Sequence, residues 1–122
     1  MITVIASNKG GVGKTTCAIY LAEVWKPVQL VDLDSQDNLS NYFPGVSKRI
    51  KQSTHPIIID TGHGVNGKTL EALVAADIVL IPVTPAAWAL DGVAAVVLAT
   101  RKVNSGAIIA ILPNQIHYKK IM

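Results

Sequence analysis

The sequence predicts an α/β protein with a doubly wound parallel sheet of about five strands. Short apolar runs alternate with helical patterns along the whole chain, as expected for β–α–β units with right-handed crossovers. Hydrophobic residues make up 50% of the chain and aromatic residues only 5%, so Ile, Val, Leu and Ala must form the core, as in buried parallel strands. A chain of 122 residues has the length of one domain, and we assign residues 1–122 to a single domain.

The predicted elements follow one another in a regular order. Strands are predicted over Ile2–Ala6, Val28–Leu33, Ile57–Ile59, Ile78–Val83 and Ala107–Leu112. Helices are predicted over Thr15–Val24, over Gly67–Ala76, and from the capping pair Thr84-Pro85 to about Val103. The stretch 36–55 is polar and irregular and contains several turn formers, so we predict no regular element there.

Composition argues against several classes of protein. No apolar stretch reaches the roughly 18–20 residues of a membrane span, and no charged-then-apolar leader precedes the first strand, so we expect neither membrane insertion nor a signal peptide. The single cysteine, Cys17, cannot form an internal disulfide and fits a reducing, cytoplasmic setting as a small buried residue. The net charge of +3 is compatible with nucleic-acid binding but does not establish it.

The most specific motif is Lys-Gly-Gly-Val-Gly-Lys-Thr-Thr, which directly follows the first strand and opens the first helix. Glycines let successive backbone N–H groups curl around a polyphosphate, and the helix adds its positive N-terminal end. Lys14 is placed to reach the β- and γ-phosphates, and the Thr15 hydroxyl is placed to bind Mg²⁺. We therefore predict a phosphate-binding loop for a nucleoside triphosphate, formed by Lys9, Gly10, Gly11, Val12, Gly13, Lys14, Thr15 and Thr16.

Acidic residues follow two of the predicted strands. Asp32 and Asp34 end the second strand two residues apart, hence on one face, and Asp60 follows the apolar triplet of the third strand. Ligands of open α/β sheets bind at this carboxyl edge. A carboxylate there could orient an attacking water or hold the hydration shell of Mg²⁺, and Asp60 could hold the ion through water. The alternative is that these acids are solvated residues at strand ends. The predicted phosphate-binding loop argues against this alternative.

The loop resembles the deviant Walker A motif of the ParA/MinD family. Asn8 stands where the general pattern has its first glycine, and Lys9 heads the loop instead. The stretch from Asp32 to Ser40 is similar to the family's switch I, and the stretch from Ile57 to Gly62 is similar to its Walker B strand. The resemblance implies that Lys9 is the signature lysine, which reaches the partner's phosphates across a nucleotide-sandwich dimer.

The resemblance also assigns roles to single residues. It implies that Asp34 is needed for hydrolysis, which gives Lys9, Lys14 and Asp34 as catalytic residues and Thr15, Asp34 and Asp60 as the metal site. Asn114 matches a family asparagine that contacts adenine, although an ordinary turn asparagine is the alternative. His63 is a candidate γ-phosphate sensor in a glycine-flanked loop that we expect to be mobile, but a lone loop histidine is more often solvated.

The function implied by the resemblance is that of a slow ATPase switch with ATP, ADP and Mg²⁺ as ligands. ATP and Mg²⁺ would promote a homodimer, hydrolysis would separate it, and the cycle would serve segregation or positioning of DNA or other cargo. A ParB-like or other adaptor protein and non-specific DNA are candidate partners. The basic groups Lys48, Arg49 and Lys51, Arg101-Lys102 and Lys119-Lys120 are the candidates for DNA contact.

The alternative function is a hydrolytically weak nucleotide-binding regulator or decoy dimer partner. Ser35 and Gly62 stand where the family usually has proline, and the segments that follow switch I and the fifth strand are short for the family. Both departures favour this alternative. A metabolic ligase of the same superfamily is a third option, against which the signature Lys9 and the short chain argue.

Overall fold

The computed structural model describes residues 1–8, 14–34, 43, 46–83 and 90–113. Within these residues five strands and three helices alternate, namely β1 Ile2–Ser7, α1 Lys14–Trp25, β2 Gln29–Asp32, β3 Ile57–His63, α2 Gly67–Ala75, β4 Ile78–Val83, α3 Leu90–Val103 and β5 Ile108–Pro113. All pairings between these strands are parallel, in the spatial order β2-β3-β1-β4-β5. The predicted five-stranded parallel α/β fold is confirmed.

Helices cover the two opposite faces of the sheet. On one face, Ala18 and Ala22 of α1 pack against Ile5 and Ile58. The opposite face carries α2 and α3 over the larger core, whose buried residues are Val4, Ala6, Val31, Ile57, Ile59, Ala72, Leu73, Ala76, Val79, Ile81, Val83, Val96 and Ala107. Because neighbouring strand residues point to opposite faces, β1 and β3 are buried on both sides, which explains their continuous apolar sequences.

The strand β3 is longer than the sequence predicted and includes Gly62 and His63. The register between β1 and β3 shifts just after Ile5. In the added part of the strand, the Thr61 hydroxyl donates to the Ile5 carbonyl at 2.8 Å. The prediction that His63 lies in a loop is therefore wrong, and the chain turns only at Gly64, whose φ of 87° favours glycine.

Side-chain hydrogen bonds fix both ends of α2. The Asn66 side chain accepts from the Thr69 backbone N–H at 3.1 Å and so caps the first turn. At the other end, the Asn104 amide donates to the Leu73 carbonyl at 2.9 Å and to the Ala76 carbonyl at 2.7 Å. These bonds supply donors to carbonyls at the carboxyl end of α2 and connect the turn after α3 to this end of the helix.

The amino edge of the sheet is held by Asp77, which precedes β4. Its carboxylate accepts from the Ile2 backbone N–H at 2.7 Å, and its own N–H donates to the Ile2 carbonyl at 2.8 Å. Its carbonyl accepts from the Ile108 N–H at 3.0 Å. Asp77 thus joins β1, β4 and β5 at the edge opposite the predicted site.

A short strip of chain, residues 46–50, contacts the outer edge of β2 at Ser47. Ser47 forms a parallel bridge with Val31. The strip belongs to the region where the sequence predicted no regular element, so its pairing with the sheet is a feature that only the structure reveals.

In the described part of the chain, every helix is too short or too polar to cross a bilayer.

Candidate functional site

The site lies at the carboxyl edge of the sheet, around the ends of β1, β2 and β3. The central strand β1 has β3 on one side and β4 on the other, so the crossovers reverse direction there. Such a reversal opens a crevice at the strand ends, which is where open α/β sheets bind ligands. The helix α1 begins at this edge with the buried residue Lys14. The positive N-terminal end of the helix therefore faces the crevice.

Three carboxylates meet in this crevice. Asp32 and Asp34 leave the end of β2, Asp60 lies in β3, and one carboxylate oxygen of each lies within 4.8 Å of the others. All three residues are buried. The Asp34 backbone N–H donates to the Asp32 carboxylate at 3.0 Å, which fixes the turn of the chain after β2. The structure therefore brings together the two acids assigned to the predicted metal site and adds Asp32 to them.

Thr15 connects the start of α1 to this acid cluster. Its hydroxyl donates to Oδ2 of Asp60 at 3.1 Å. The other oxygen of that carboxylate, Oδ1, is fully buried and has no hydrogen-bond partner among the described residues. Buried polar atoms are rarely left without a partner, and hard divalent cations prefer carboxylate and hydroxyl oxygens. The donor set of Thr15, Asp34, Asp60 and Asp32 therefore fits Mg²⁺.

Burial makes Asp60 unusually hard to ionise. The pKa of its carboxyl is raised from 3.8 to about 6, mainly because burial desolvates the charged form and to a smaller extent because of the negative charges of Asp32 and Asp34. The positive charge of Lys14 and the hydrogen bond from Thr15 act in the opposite direction. Desolvation by burial, followed by the charge of Asp60, also raises the pKa of the Cys17 thiol to about 11, which makes this cysteine a poor nucleophile at neutral pH.

The raised pKa of Asp60 predicts a specific pH dependence for the metal-free protein. The folded state binds more protons than the unfolded state between about pH 4 and pH 6, so the contribution of Asp60 to the free energy of unfolding falls as the pH rises through this window. Asp60→Asn should therefore be more stable than the wild type at pH 7.5, by an amount on the order of 1–3 kcal/mol, and equally stable near pH 4.

Thermal unfolding in EDTA at several pH values measures this difference. The exposed acid Glu71 in α2 provides the control, because Glu71→Gln should leave the pH profile unchanged. Added Mg²⁺ should stabilise the wild type and not Asp60→Asn. An Asp60→Asn variant that is less stable than the wild type at pH 7.5 in EDTA would contradict the account of this carboxyl.

Not every residue of the predicted site can be placed. Lys9, Gly10, Gly11, Val12 and Gly13 of the loop lie outside the described residues, and so does Asn114. Ser35 and the helix cap Thr84-Pro85 lie outside them as well. Thr16 is described and is exposed on α1. The roles of these residues stay predictions.

Sequence reasoning missed a lysine at this site. The amino group of Lys48 lies 3.6 Å from Oδ2 of Asp32. The sequence offered Lys48 only as one of three neighbouring basic residues, which we interpreted as a candidate DNA contact. No local pattern could have paired it with Asp32, because the pairing depends on the strip that joins β2 through Ser47.

The other basic candidates have different surroundings. Arg49 and Lys51 are exposed. The guanidinium of Arg101 donates to the carbonyls of Ser105 at 2.9 Å and Ala107 at 2.8 Å, which closes the turn between α3 and β5. Lys102 is exposed as well, and Lys119-Lys120 lie outside the described residues. Direct contact of these basic groups with DNA stays a prediction.

A parallel α/β sheet in which a helix begins with a buried lysine beside clustered aspartates is the architecture of a nucleotide-binding domain. The family model of the CobQ/CobB/MinD/ParA nucleotide binding domain (CbiA) matches residues 3–120. The chain therefore belongs to this family, which confirms the resemblance to ParA and MinD.

Individual relatives agree with this assignment. The chain is 40% identical over 87 residues to the chromosome-partitioning ATPase Soj of Thermus thermophilus, a match over 66% of this chain and 31% of the relative. A putative plasmid partition protein from Borrelia burgdorferi, solved with AMPPNP bound, superposes with a TM-score of 0.75 at 24% identity, covering 98% of this chain and 78% of that one.

The fold also occurs in a metabolic enzyme. Cobyrinic acid a,c-diamide synthase from Mycobacterium smegmatis, solved with bound ADP and magnesium, gives a TM-score of 0.74 at 20% identity over 92% of this chain and 73% of that one. At these identities the solved structures show the fold alone. The match to Soj spans about a third of that protein.

Proposed function

We propose that this protein is a Mg²⁺- and ATP-dependent switch that hydrolyses ATP slowly and serves the segregation or positioning of DNA or another cargo. Membership in a nucleotide-binding family supports the binding of a nucleotide. The relatives that are partition proteins support DNA segregation or positioning as the task. The single observation that carries the proposal is the acid cluster, in which the Asp60 carboxylate meets the Thr15 hydroxyl and keeps its second oxygen without a partner among the described residues.

The proposal gives each group at the carboxyl edge a task. Loop residues 9–13 and the start of α1 bind the triphosphate, and Lys14 offsets the charge of its β- and γ-phosphates. Thr15 and Asp60, with Asp34, hold Mg²⁺, which supplies charge neutralisation at the phosphates when it is bound. Asp34 also orients the attacking water, because its carboxylate leaves the end of β2 beside the other two acids.

The switch needs a readout, and we propose that the readout is dimerisation. Two copies would face each other across their nucleotides, with Lys9 of each copy reaching the triphosphate of the other. Hydrolysis would then remove the γ-phosphate that holds the two copies together. An adaptor protein of the ParB type, or DNA, would bind one of the two states.

Hydrolysis gives the direct test of this function. The wild type should release inorganic phosphate from ATP in the presence of Mg²⁺, and Asp34→Ala should reduce the rate by about 10²-fold or more, the usual effect of removing a group that handles the attacking water. Binding of ATP should remain. Phosphate release under single-turnover and steady-state conditions measures the hydrolysis rates of the wild type and of Asp34→Ala. Glu71→Ala is the control for loss of an exposed acid.

The same assay discriminates the alternative function. A wild type that binds ATP but releases no phosphate at any protein concentration would contradict the hydrolytic switch. That result would support a nucleotide-binding regulator or decoy dimer partner, the alternative that the departures at Ser35 and Gly62 favour. A rate unchanged in Asp34→Ala would instead show that another group positions the water.

A further inference from the structure

The strip 46–50 is built onto the sheet by backbone hydrogen bonds. The Ser47 N–H donates to the Leu30 carbonyl at 3.2 Å, and the Asp32 N–H donates to the Ser47 carbonyl at 2.8 Å. This alternation is that of a parallel ladder. At Ser47 the strip therefore runs in the same direction as β2, and the side chain of the next residue, Lys48, reaches Asp32 at the carboxyl end of β2.

Packing and a local turn hold the strip in place. Val46 packs against the core under α1, and Ile50 packs against the core under α2 and α3. The Ser47 hydroxyl donates to the Arg49 carbonyl at 2.7 Å and accepts from the Arg49 N–H at 3.3 Å. These contacts hold the backbone on both sides of Lys48, from which its side chain reaches Asp32.

The side chain of Lys48 contacts Asp32, one of the buried carboxylates of the acid cluster. Its amino group lies 3.6 Å from Oδ2 of Asp32, and the side chain of Lys48 is 51% exposed whereas that of Asp32 is 0% exposed. A pair with one fully buried partner is screened less by water and salt than a surface pair. The carboxylate that it neutralises is one of three that lie within 4.8 Å of one another and repel each other when ionised.

We propose that Lys48 is a built-in counter-ion of the acid cluster. Its positive charge stabilises the carboxylates in the metal-free protein, and it competes with a divalent cation for these carboxylates. The inference rests on the metal site of the proposed function and adds a residue that sets the affinity of that site. Lys48 would lower the affinity for Mg²⁺ alone. Tight Mg²⁺ binding would then require the extra negative charge of the nucleotide, which keeps the site responsive to ATP.

The consequence for stability has a definite sign. In EDTA, loss of the Lys48 charge leaves three crowded carboxylates with less compensation, so Lys48→Met should unfold at a lower temperature than the wild type. Mg²⁺ without nucleotide should then bind Lys48→Met more tightly, by about 3- to 10-fold, because the competing cation is gone. Lys48→Arg keeps the charge and should resemble the wild type in both respects.

Thermal unfolding in EDTA and Mg²⁺ titration without nucleotide test the proposal, both at low salt and pH 7.5. Lys51→Met, which removes an exposed lysine three residues away, is the matched control and should behave as the wild type. The second control is the Asp32→Asn background, in which Lys48→Met should change neither the unfolding temperature nor the Mg²⁺ affinity. Agreement of all four variants with these expectations supports the counter-ion.

Two outcomes would overturn it in different ways. Equal unfolding temperatures and equal Mg²⁺ responses in the wild type, Lys48→Met and Lys51→Met would show that Lys48 forms only a surface ion pair, while the metal site stands. Loss of any Mg²⁺ response in all variants, the wild type included, with or without ATP, would overturn the proposed metal site and this inference with it.

Discussion

Lys14→Ala is expected to abolish ATP binding. The residue is buried at the first position of α1, beside the acid cluster, and its charge acts on Asp60. A triphosphate placed there adds several negative charges to a crevice that already holds three carboxylates. Backbone N–H groups and the helix end supply only partial positive charge, so a full cation is needed to bind the β- and γ-phosphates. We expect the affinity to fall at least about 100-fold.

Titration calorimetry with a slowly hydrolysed ATP analogue and Mg²⁺ measures this loss. Lys68→Ala, which removes an exposed lysine from α2, is the control and should bind as the wild type does. A comparison of unfolding temperatures without nucleotide shows that Lys14→Ala still folds. Near-normal affinity in a folded Lys14→Ala protein would mean that the triphosphate binds elsewhere.

Lys9→Ala should have the second largest effect, on dimerisation and turnover rather than on binding. In the proposed site Lys14 serves the phosphates of its own subunit, so a second lysine at the head of the loop would have no evident task in a monomer. Across a two-fold interface it would stabilise charge on the partner's triphosphate, as an arginine finger does, where the gain in rate is about 10³-fold or more. The variant should bind ATP as a monomer and lose ATP-dependent dimerisation and turnover.

Light scattering and phosphate release distinguish the outcomes for Lys9→Ala, again with Lys68→Ala as the control. Loss of ATP binding itself would place Lys9 at the phosphates of its own subunit. An unchanged dimer with unchanged turnover would contradict the proposed task of Lys9 and would leave the ATP-dependent dimer without its cross-subunit contact.

Much of the fold could be predicted because its signals are local. The triplet Ile57–Ile59 is buried on both faces of the sheet, and only a central parallel strand requires such a run. The end of β3 could not be predicted in this way. It depends on the bond from Thr61 to Ile5 and on a register shift in β1, which are contacts between distant parts of the chain.

The site shows the same division. The meeting of Asp34 and Asp60 follows from topology, because the carboxyl ends of parallel strands share one edge, and the sequence was sufficient to predict it. The contact of Lys48 with Asp32 follows from a bridge between residues that no motif connects, so only the folded chain reveals it. The roles of Lys9 and Asn114, which lie outside the described residues, rest on the family resemblance.

The central claim is that Mg²⁺ and ATP bind at the carboxyl edge and convert the protein into a dimer. Size-exclusion chromatography with light scattering, on the wild type with a slowly hydrolysed ATP analogue and Mg²⁺, measures mass and bound nucleotide together. The account predicts a species of twice the 12.9 kDa chain mass with one nucleotide per chain, which EDTA returns to the monomer. A species at the mass of one chain, with or without bound nucleotide, would contradict it.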